Sequence, residues 1–268
     1  MYILIMVHIT EKSYLFIDLS YFIFHTYYAK KKYFEYTKEC MDDLINNEKF
    51  MSLFSNFDNK IDMIKKKLKL PKNTIVIFGK DCKRSEIWRN ELYPNYKKSR
   101  KTDVQIKDFF IYTYNNIIST LNILENETCE ADDVIAVCTK HIIKTEPYSK
   151  VNIITGDHDY LQLLETDNIN IYDLKLKDLR LKSTGDCKVD LMLKILMGDS
   201  SDNISPIHKK LGNKTAMKYI ENPEKLKEKC TDETINNTFE LNKKLIDFDN
   251  IPNKYKLCII HKFKQLLN

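Results

Sequence analysis

Apolar positions along the 268-residue chain cluster into short runs that do not alternate with polar ones. "YLFID" (14–18), "TIVIF" (74–78) and "VNIIT" (151–155) are apolar on both sides, the pattern of parallel strands covered on both faces. "NINIYDL" (168–174) adds a fourth run, and helical patterns separate the four. Alternating strands and helices predict an α/β fold, a central, mostly parallel sheet flanked by helices. From residue 188 onward only helical stretches remain, at 189–197, 213–221, 224–230, 234–247 and 254–267. The expected organisation is an α/β domain over 1–187 and a helical subdomain over 188–268. The stretch 101–128 is polar and aromatic without a clear partner face, and reads as a mobile helical loop.

The acidic residues fall where such a sheet binds ligands, beyond the carboxyl ends of its strands. Asp18 ends the first run, Asp81 lies just past the second, and Asp157 and Asp159 follow the third. "CEADDVIAVCTKHI" (129–142) places Glu130, Asp132 and Asp133 at the start of a helix with an apolar face of Val134, Ile135, Cys138 and Ile142. The helix dipole favours an exposed acid there by about 0.3–1 kcal/mol, but three acids in four residues exceed what capping needs. "MGDSSDNI" (197–204) adds Asp199 and Asp202 behind Gly198. So many carboxylates in one crevice repel unless cations neutralise them. All-oxygen ligation suits Mg²⁺, with Mn²⁺ as a substitute, and His158 as the one nearby imidazole argues against zinc. Two or more such ions favour in-line displacement at a phosphodiester.

Composition sharpens this reading. Apolar residues make up 43% of the chain and its net charge is +5. Residues 80–101 hold eight basic side chains (Lys80, Lys83, Arg84, Arg89, Lys97, Lys98, Arg100, Lys101) and three acidic ones (Asp81, Glu86, Glu91). A local basic surplus without an apolar span or basic amphipathic helix fits an anionic polymer better than a membrane, so no membrane partner is expected. Trp88 and Arg89 read as anchors of this loop, and His25 and His158 as structural rather than ligating. Seven scattered cysteines without a CxxC pair indicate an intracellular, reducing compartment, with neither disulfides nor structural zinc. The opening "MYILIMVHIT" lacks the basic flank of a signal peptide; a short organelle presequence stays open.

"FIDLSYFIFHTYYA", "TIVIF…IWRNELYPNYKKSR", "EADDVIAV", "ITGDHDYLQLL" and "LMGDSSDNI…LGNKTAMKYI" resemble, in order, the five blocks of the structure-specific 5′-nucleases. That family comprises flap endonucleases, bacteriophage 5′-exonucleases and the 5′-nuclease domain of bacterial DNA polymerase I, and the phage and bacterial branch is the nearer likeness. The resemblance implies a PIN-like sheet domain with a short helical arch at about 97–128, and a helix–hairpin–helix at about 198–221. It implies that Asp18, Glu130 and Asp132 hold one metal ion, and Asp157, Asp159 and Asp199 a second. Asp133 and Asp202 match acids of the second metal or behind the ligands. Lys97 and Arg100 match catalytic residues at the scissile phosphate. Tyr96 matches a stacking aromatic, and Lys98 and Lys194 match basic residues near the phosphates. Lys209, Lys210, Gly212, Lys214 and Thr215 match the hairpin that seats duplex phosphate, with K⁺ as an accompanying ion. Two departures stand out. Gly79 occupies the place of the family's strand-end Asp, leaving Asp81 to take its role. Lys210 replaces one hairpin glycine, next to a one-residue insertion. The expected activity is metal-dependent hydrolysis of DNA at 5′ ends, flaps and junctions, as 5′-3′ exonuclease and flap endonuclease in replication and repair. RNA/DNA hybrid is a further substrate, the chain is a monomer, and replication proteins are partners. The alternatives are a catalytically impaired nucleic-acid-binding module and a haloacid-dehalogenase-type phosphatase. "IDLS" argues against the phosphatase, because Ser20 stands where its partner acid belongs.

Overall fold

β1 (Ser13–Asp18), β2 (Ile75–Lys80), β3 (Ile123–Glu125), β4 (Lys150–Ile154) and β5 (Ile169–Tyr172) form one sheet in the computed structural model, which describes residues 11–100 and 104–268. The strand order is β3-β2-β1-β4-β5, and every pair is parallel. The opening decapeptide, and Lys101 of the basic window, lie outside the described residues. The four expected strands are present. β3 was not expected, because three residues are too few to show a period; it is set by the pairing of Phe78 with Ile123 and of Gly79 with Leu124.

Alternate strand residues feed two layers. Tyr14, Phe16, Ile77, Val151 and Ile153 pack with α6 (Ala131–Thr145) and the final helix, α11 (Asn253–Leu267). Leu15, Ile17, Phe78 and Ile154 share the other layer with residues of α1 (Leu19–Thr37), α2 (Glu48–Phe54), α3 (Phe57–Lys67) and α5 (Val104–Asn116). Ile259 and Phe263 of α11 are buried in the same cluster as Tyr14 and Phe16. A shared core therefore crosses the expected boundary at 187–188. α7 (Cys187–Met197), α8 (Asn213–Glu221), α9 (Pro223–Lys229) and α10 (Glu233–Ile246) build smaller clusters beside it.

The stretch expected to be a helical loop without a partner face is helical, as α5, and it does have a partner. Ile106 and Phe109 are buried, the Phe109 ring lies 4.7 Å from Tyr27, and Phe110 meets Phe24 edge-on at 5.1 Å. Aromatic pairs dock this helix on α1, so from residue 105 onward it is not a freestanding arch. Among the described residues no helix is long and apolar enough to cross a membrane.

The strand order reverses between β1 and β4. At such a switch point the flanking connections leave in opposite directions and open a crevice at the carboxyl ends. Asp18 and Asp157 stand on its two sides.

Candidate metal centre

β1 runs directly into α1, and Asp18 caps that helix by accepting the Tyr21 N–H at 2.9 Å. One carboxylate oxygen is thereby fixed at the carboxyl edge of the sheet. Asp18 pairs with Gly79 on β2, the position where the resemblance calls for an acid. A Cβ at Gly79 would lie 2.7 Å from Ile135 Cγ1 and 3.1 Å from the Ala131 carbonyl oxygen. The close approach of α6 crowds any side chain there. Asp81, two residues on, is held by the Ala131 N–H at 2.8 Å and by the Ser20 hydroxyl. Asp81 thus lies against the N-terminus of α6, where the helix dipole favours a carboxylate.

Glu130, Asp132 and Asp133 each bring an oxygen within 4.8 Å of the others, an arrangement that could hold a metal ion. Their surroundings differ. Asp133 accepts Arg89 Nη1 and Nη2, both at 2.7 Å, Trp88 Nε1 at 2.9 Å and the Glu130 N–H at 3.2 Å. It is fully buried and does not line the cavity, whereas Glu130 and Asp132 do. Arg89, the first residue of the short helix α4 (Arg89–Leu92), is 2% exposed and also binds the Leu245 carbonyl at 2.7 Å and Glu130 at 3.3 Å. It ties the basic loop, α6 and α10 together. Trp88 and Arg89 are anchors, as their sequence context suggested.

The opposite wall carries Asp157, Asp159 and Asp199. Asp157 accepts the Asp159 N–H at 2.9 Å, and Asp199 accepts the Ser201 N–H at 2.8 Å. Lys194 bridges Asp159 and Asp199, the latter at 2.9 Å. Asp159 turns away from the main cavity into a smaller recess with Leu191 and Gln162. Asp202 is likewise turned inward, to Lys97 at 3.5 Å and to Arg100. Asp202 does not line the main cavity, and its carboxylate faces these two cations. Lys97, with a left-handed backbone (φ 54°), points its ammonium group at Glu130. The stacking role expected of Tyr96 is overturned. Its ring is 6% exposed and its hydroxyl donates to Glu130 at 2.8 Å, which leaves no face for a base.

A cavity of about 630 Å³ joins these groups, lined by Asp18, Asp81, Glu130, Asp132, Asp157 and Asp199 with Lys97, Arg100 and Lys194. Crowding shows in the acid–base balance. Burial, reinforced by the charges of Asp81 and Asp157, pushes the Asp18 carboxyl up to about 8. Asp132 is raised well above the usual range by burial and by Glu130 and Asp133. Burial would also raise Asp199, but Lys194 and Ser201 hold it down at about 2. Carboxyl groups that retain protons for want of positive charge are a donor set that fits hard divalent cations. Sequence reasoning missed Ser20, which orients Asp81, and Arg84, which lines the cavity and binds the Arg100 carbonyl at 2.9 Å.

Beyond Asp202 the chain turns back into α8. Gly198 is held at φ 69°, and a Cβ there would lie 2.4 Å from the Ile204 carbonyl oxygen. Lys210 keeps a left-handed backbone, φ 61°, at the place of the missing glycine. Lys98, Lys209, Lys210, Gly212, Lys214 and Thr215 are exposed.

Residues 13–189 match the family model of the 5′-3′ exonuclease N-terminal, resolvase-like domain. Ribonuclease H of Enterobacteria phage T4 is 26% identical over 230 residues, 76% of this chain and 74% of that protein. Flap endonuclease Xni of Shewanella denitrificans is 33% identical over 105 residues, 38% of this chain and 39% of its own length. The T5 5′-exonuclease with bound divalent zinc ions shares the fold, with a TM-score of 0.68 at 20% identity over 96% of this chain and 98% of that one. Through a match covering the sheet, α6 and the start of α7, the chain belongs to the 5′-3′ exonuclease family.

Proposed function

We propose that the chain is a divalent-metal-dependent, structure-specific 5′-nuclease that hydrolyses DNA phosphodiesters at 5′ ends, flaps and single-strand/duplex junctions. The observation that carries this reading is the cavity in which acids from five separate segments converge, with Lys97, Arg100 and Lys194 among them. Asp18, Asp81, Glu130 and Asp132 would hold one Mg²⁺ or Mn²⁺ ion, and Asp157 and Asp199 a second, with Asp159 kept in place through Lys194. Bound there, the ions would supply charge neutralisation and a more acidic water. The protein's own share is placement. Asp133, through Arg89, fixes the loop that carries Lys97, and Tyr96 and Lys97 orient Glu130. Lys97, Arg100 and Lys194 offer a phosphodiester the positive charge that now faces carboxylates. Lys98 would meet a neighbouring phosphate. The exposed turn from Lys209 to Thr215 would grip duplex backbone, with K⁺ as its monovalent ion and the Lys210, Lys209 and Lys214 side chains supplementing backbone amides. RNA/DNA hybrid is a second substrate class on this reading.

An end-labelled duplex with a 5′ flap, incubated in Mg²⁺, tests the proposal. Expected is a short labelled product with a complementary 5′-phosphate on the cut strand, abolished by chelation. Release of inorganic phosphate alone would indicate a phosphatase, and a shifted band without cleavage a binding module; either overturns the proposal.

A further inference from the structure

A second basic site lies next to the cavity, and the reading above does not use it. His25 is on α1, seven residues beyond Asp18, which is about 10 Å along the helix axis. Its Nδ1 is buried without a hydrogen-bond partner. Lys60 of α3 reaches up to the same turn of α1. Its ammonium donates to the Thr26 hydroxyl at 2.7 Å and sits 4.4 Å above the Phe22 ring. Lys175, in the turn after β5, and Lys30, on the next turn of α1, complete the cluster, acting on His25 and Lys60 respectively. Among the described residues, no carboxylate lies within ion-pairing distance of Lys30, Lys60 or Lys175. Asp173, whose charge acts on His25, uses one oxygen to accept the Lys175 and Lys177 N–H groups at 2.8 and 2.9 Å. Burial, with Lys30 beside it, pulls Lys60 down to about 8, and burial with Lys60 and Lys175 pulls His25 down to about 4. A mostly buried ammonium without a counter-charge is costly. An anion bound between these groups would remove that cost.

Tyr21 connects the two sites. It lines the metal cavity, its hydroxyl accepts the Leu174 N–H at 3.1 Å, and its ring lies 6.0 Å from His25. The exposed turn before α8 is carried by α7 and α8, whereas the cluster is built on α1, α3 and the turn after β5. A strand whose duplex part rests on the former and whose scissile bond lies at the acids would continue past Tyr21 to the latter. We propose that His25, Lys60 and Lys175 form a phosphate subsite for the unpaired 5′ strand, roughly three stacked nucleotides from the point of cleavage. The neutral imidazole would donate Nδ1–H, and the two ammonium groups would supply the charge. This inference rests on the nuclease reading.

The test compares the full-length chain with Lys60→Gln, Lys175→Gln and the double variant, on 5′ flaps of one and of about six nucleotides. The double variant is expected to lose about tenfold in kcat/KM on the long flap and less than about twofold on the short one. Binding of a single-stranded oligonucleotide in Ca²⁺ should show a shallower salt dependence, by about 1.4 in log–log slope for two lost cations. Equal losses on both flaps, or an unchanged salt slope, would overturn the subsite. If the wild-type chain cleaves neither flap, the nuclease reading fails, while the salt slope still reports on the subsite. Flaps ending in 5′-phosphate and 5′-hydroxyl separate the two sources of the anion. A variant effect confined to the phosphorylated end assigns a terminal phosphate, and an effect on both assigns an internal phosphodiester.

Discussion

Arg89 and Asp133 form the contact on which the geometry of the site depends, and breaking it has a calculable cost. The guanidinium and carboxylate are 2% and 0% exposed and share two hydrogen bonds of 2.7 Å. Removing one partner strands the other charge in the interior, a loss of about 3–5 kcal/mol. Arg89→Met and Asp133→Leu should each fall in that range, a large share of the roughly 5–15 kcal/mol that keeps a domain folded. The double variant removes both charges of the pair, and Glu130, which also loses Arg89, keeps Lys97 as its partner. The variant loses the Arg89 bond to Leu245 and leaves Trp88 Nε1 and the Glu130 N–H without an acceptor, about 1 kcal/mol each. It should therefore be no less stable than either single variant, and the cycle should show a coupling of at least about 3 kcal/mol. Urea unfolding with a constant m-value measures all four corners. Additive losses, or single variants within about 1 kcal/mol of the wild type, would refute the assignment of this pair as the keystone of the loop. A second readout is linked to it: both single variants should weaken Mg²⁺-dependent cleavage, because Glu130 loses its orientation.

Three further outcomes follow from local geometry. Gly79→Asp should destabilise the fold by about 1–3 kcal/mol through overpacking against Ile135, and combining it with Asp81→Asn should not restore cleavage; denaturant unfolding and a flap assay check this. Lys210→Gly should raise stability by about 1 kcal/mol, since the left-handed backbone at φ 61° strains a residue with a Cβ, as a higher midpoint in urea would show. The thermal shift produced by Mg²⁺ should grow as pH rises from 6 towards 9. Asp18, held up at about 8, must give up its proton to a cation. Without metal, the same elevated carboxyl makes stability fall between the unfolded value near 4 and the folded value near 8. A metal-induced shift independent of pH would contradict this.

The strands were legible because a parallel sheet buries both faces, so β1, β2, β4 and β5 appear as unbroken apolar runs. β3 is set by pairing with β2 rather than by its own pattern. The acids were legible as a set, since each sits at a strand end or helix start, but their division of labour was not. Asp132 and Asp133 are neighbours, and about 100° of helix rotation sends one into the cavity and the other into Arg89. Tyr96 fits a stacking role until Glu130 and Asp202 are seen to claim its hydroxyl. The crowding at Gly79 and the anchoring of Asp81 both come from α6, fifty residues away in sequence. The docking of α5 was missed because its aromatic residues find partners on α1 and α2 that a local window does not contain.

The central claim is that acids separated along the chain form one cation-holding pocket. Anomalous diffraction from crystals grown with Mn²⁺ tests it most directly. Peaks are expected within ligating distance of Asp18, Asp81, Glu130 and Asp132, and of Asp157 and Asp199. A Mn²⁺-saturated crystal in which these carboxylates keep their present partners, and the only peaks lie elsewhere, would contradict it.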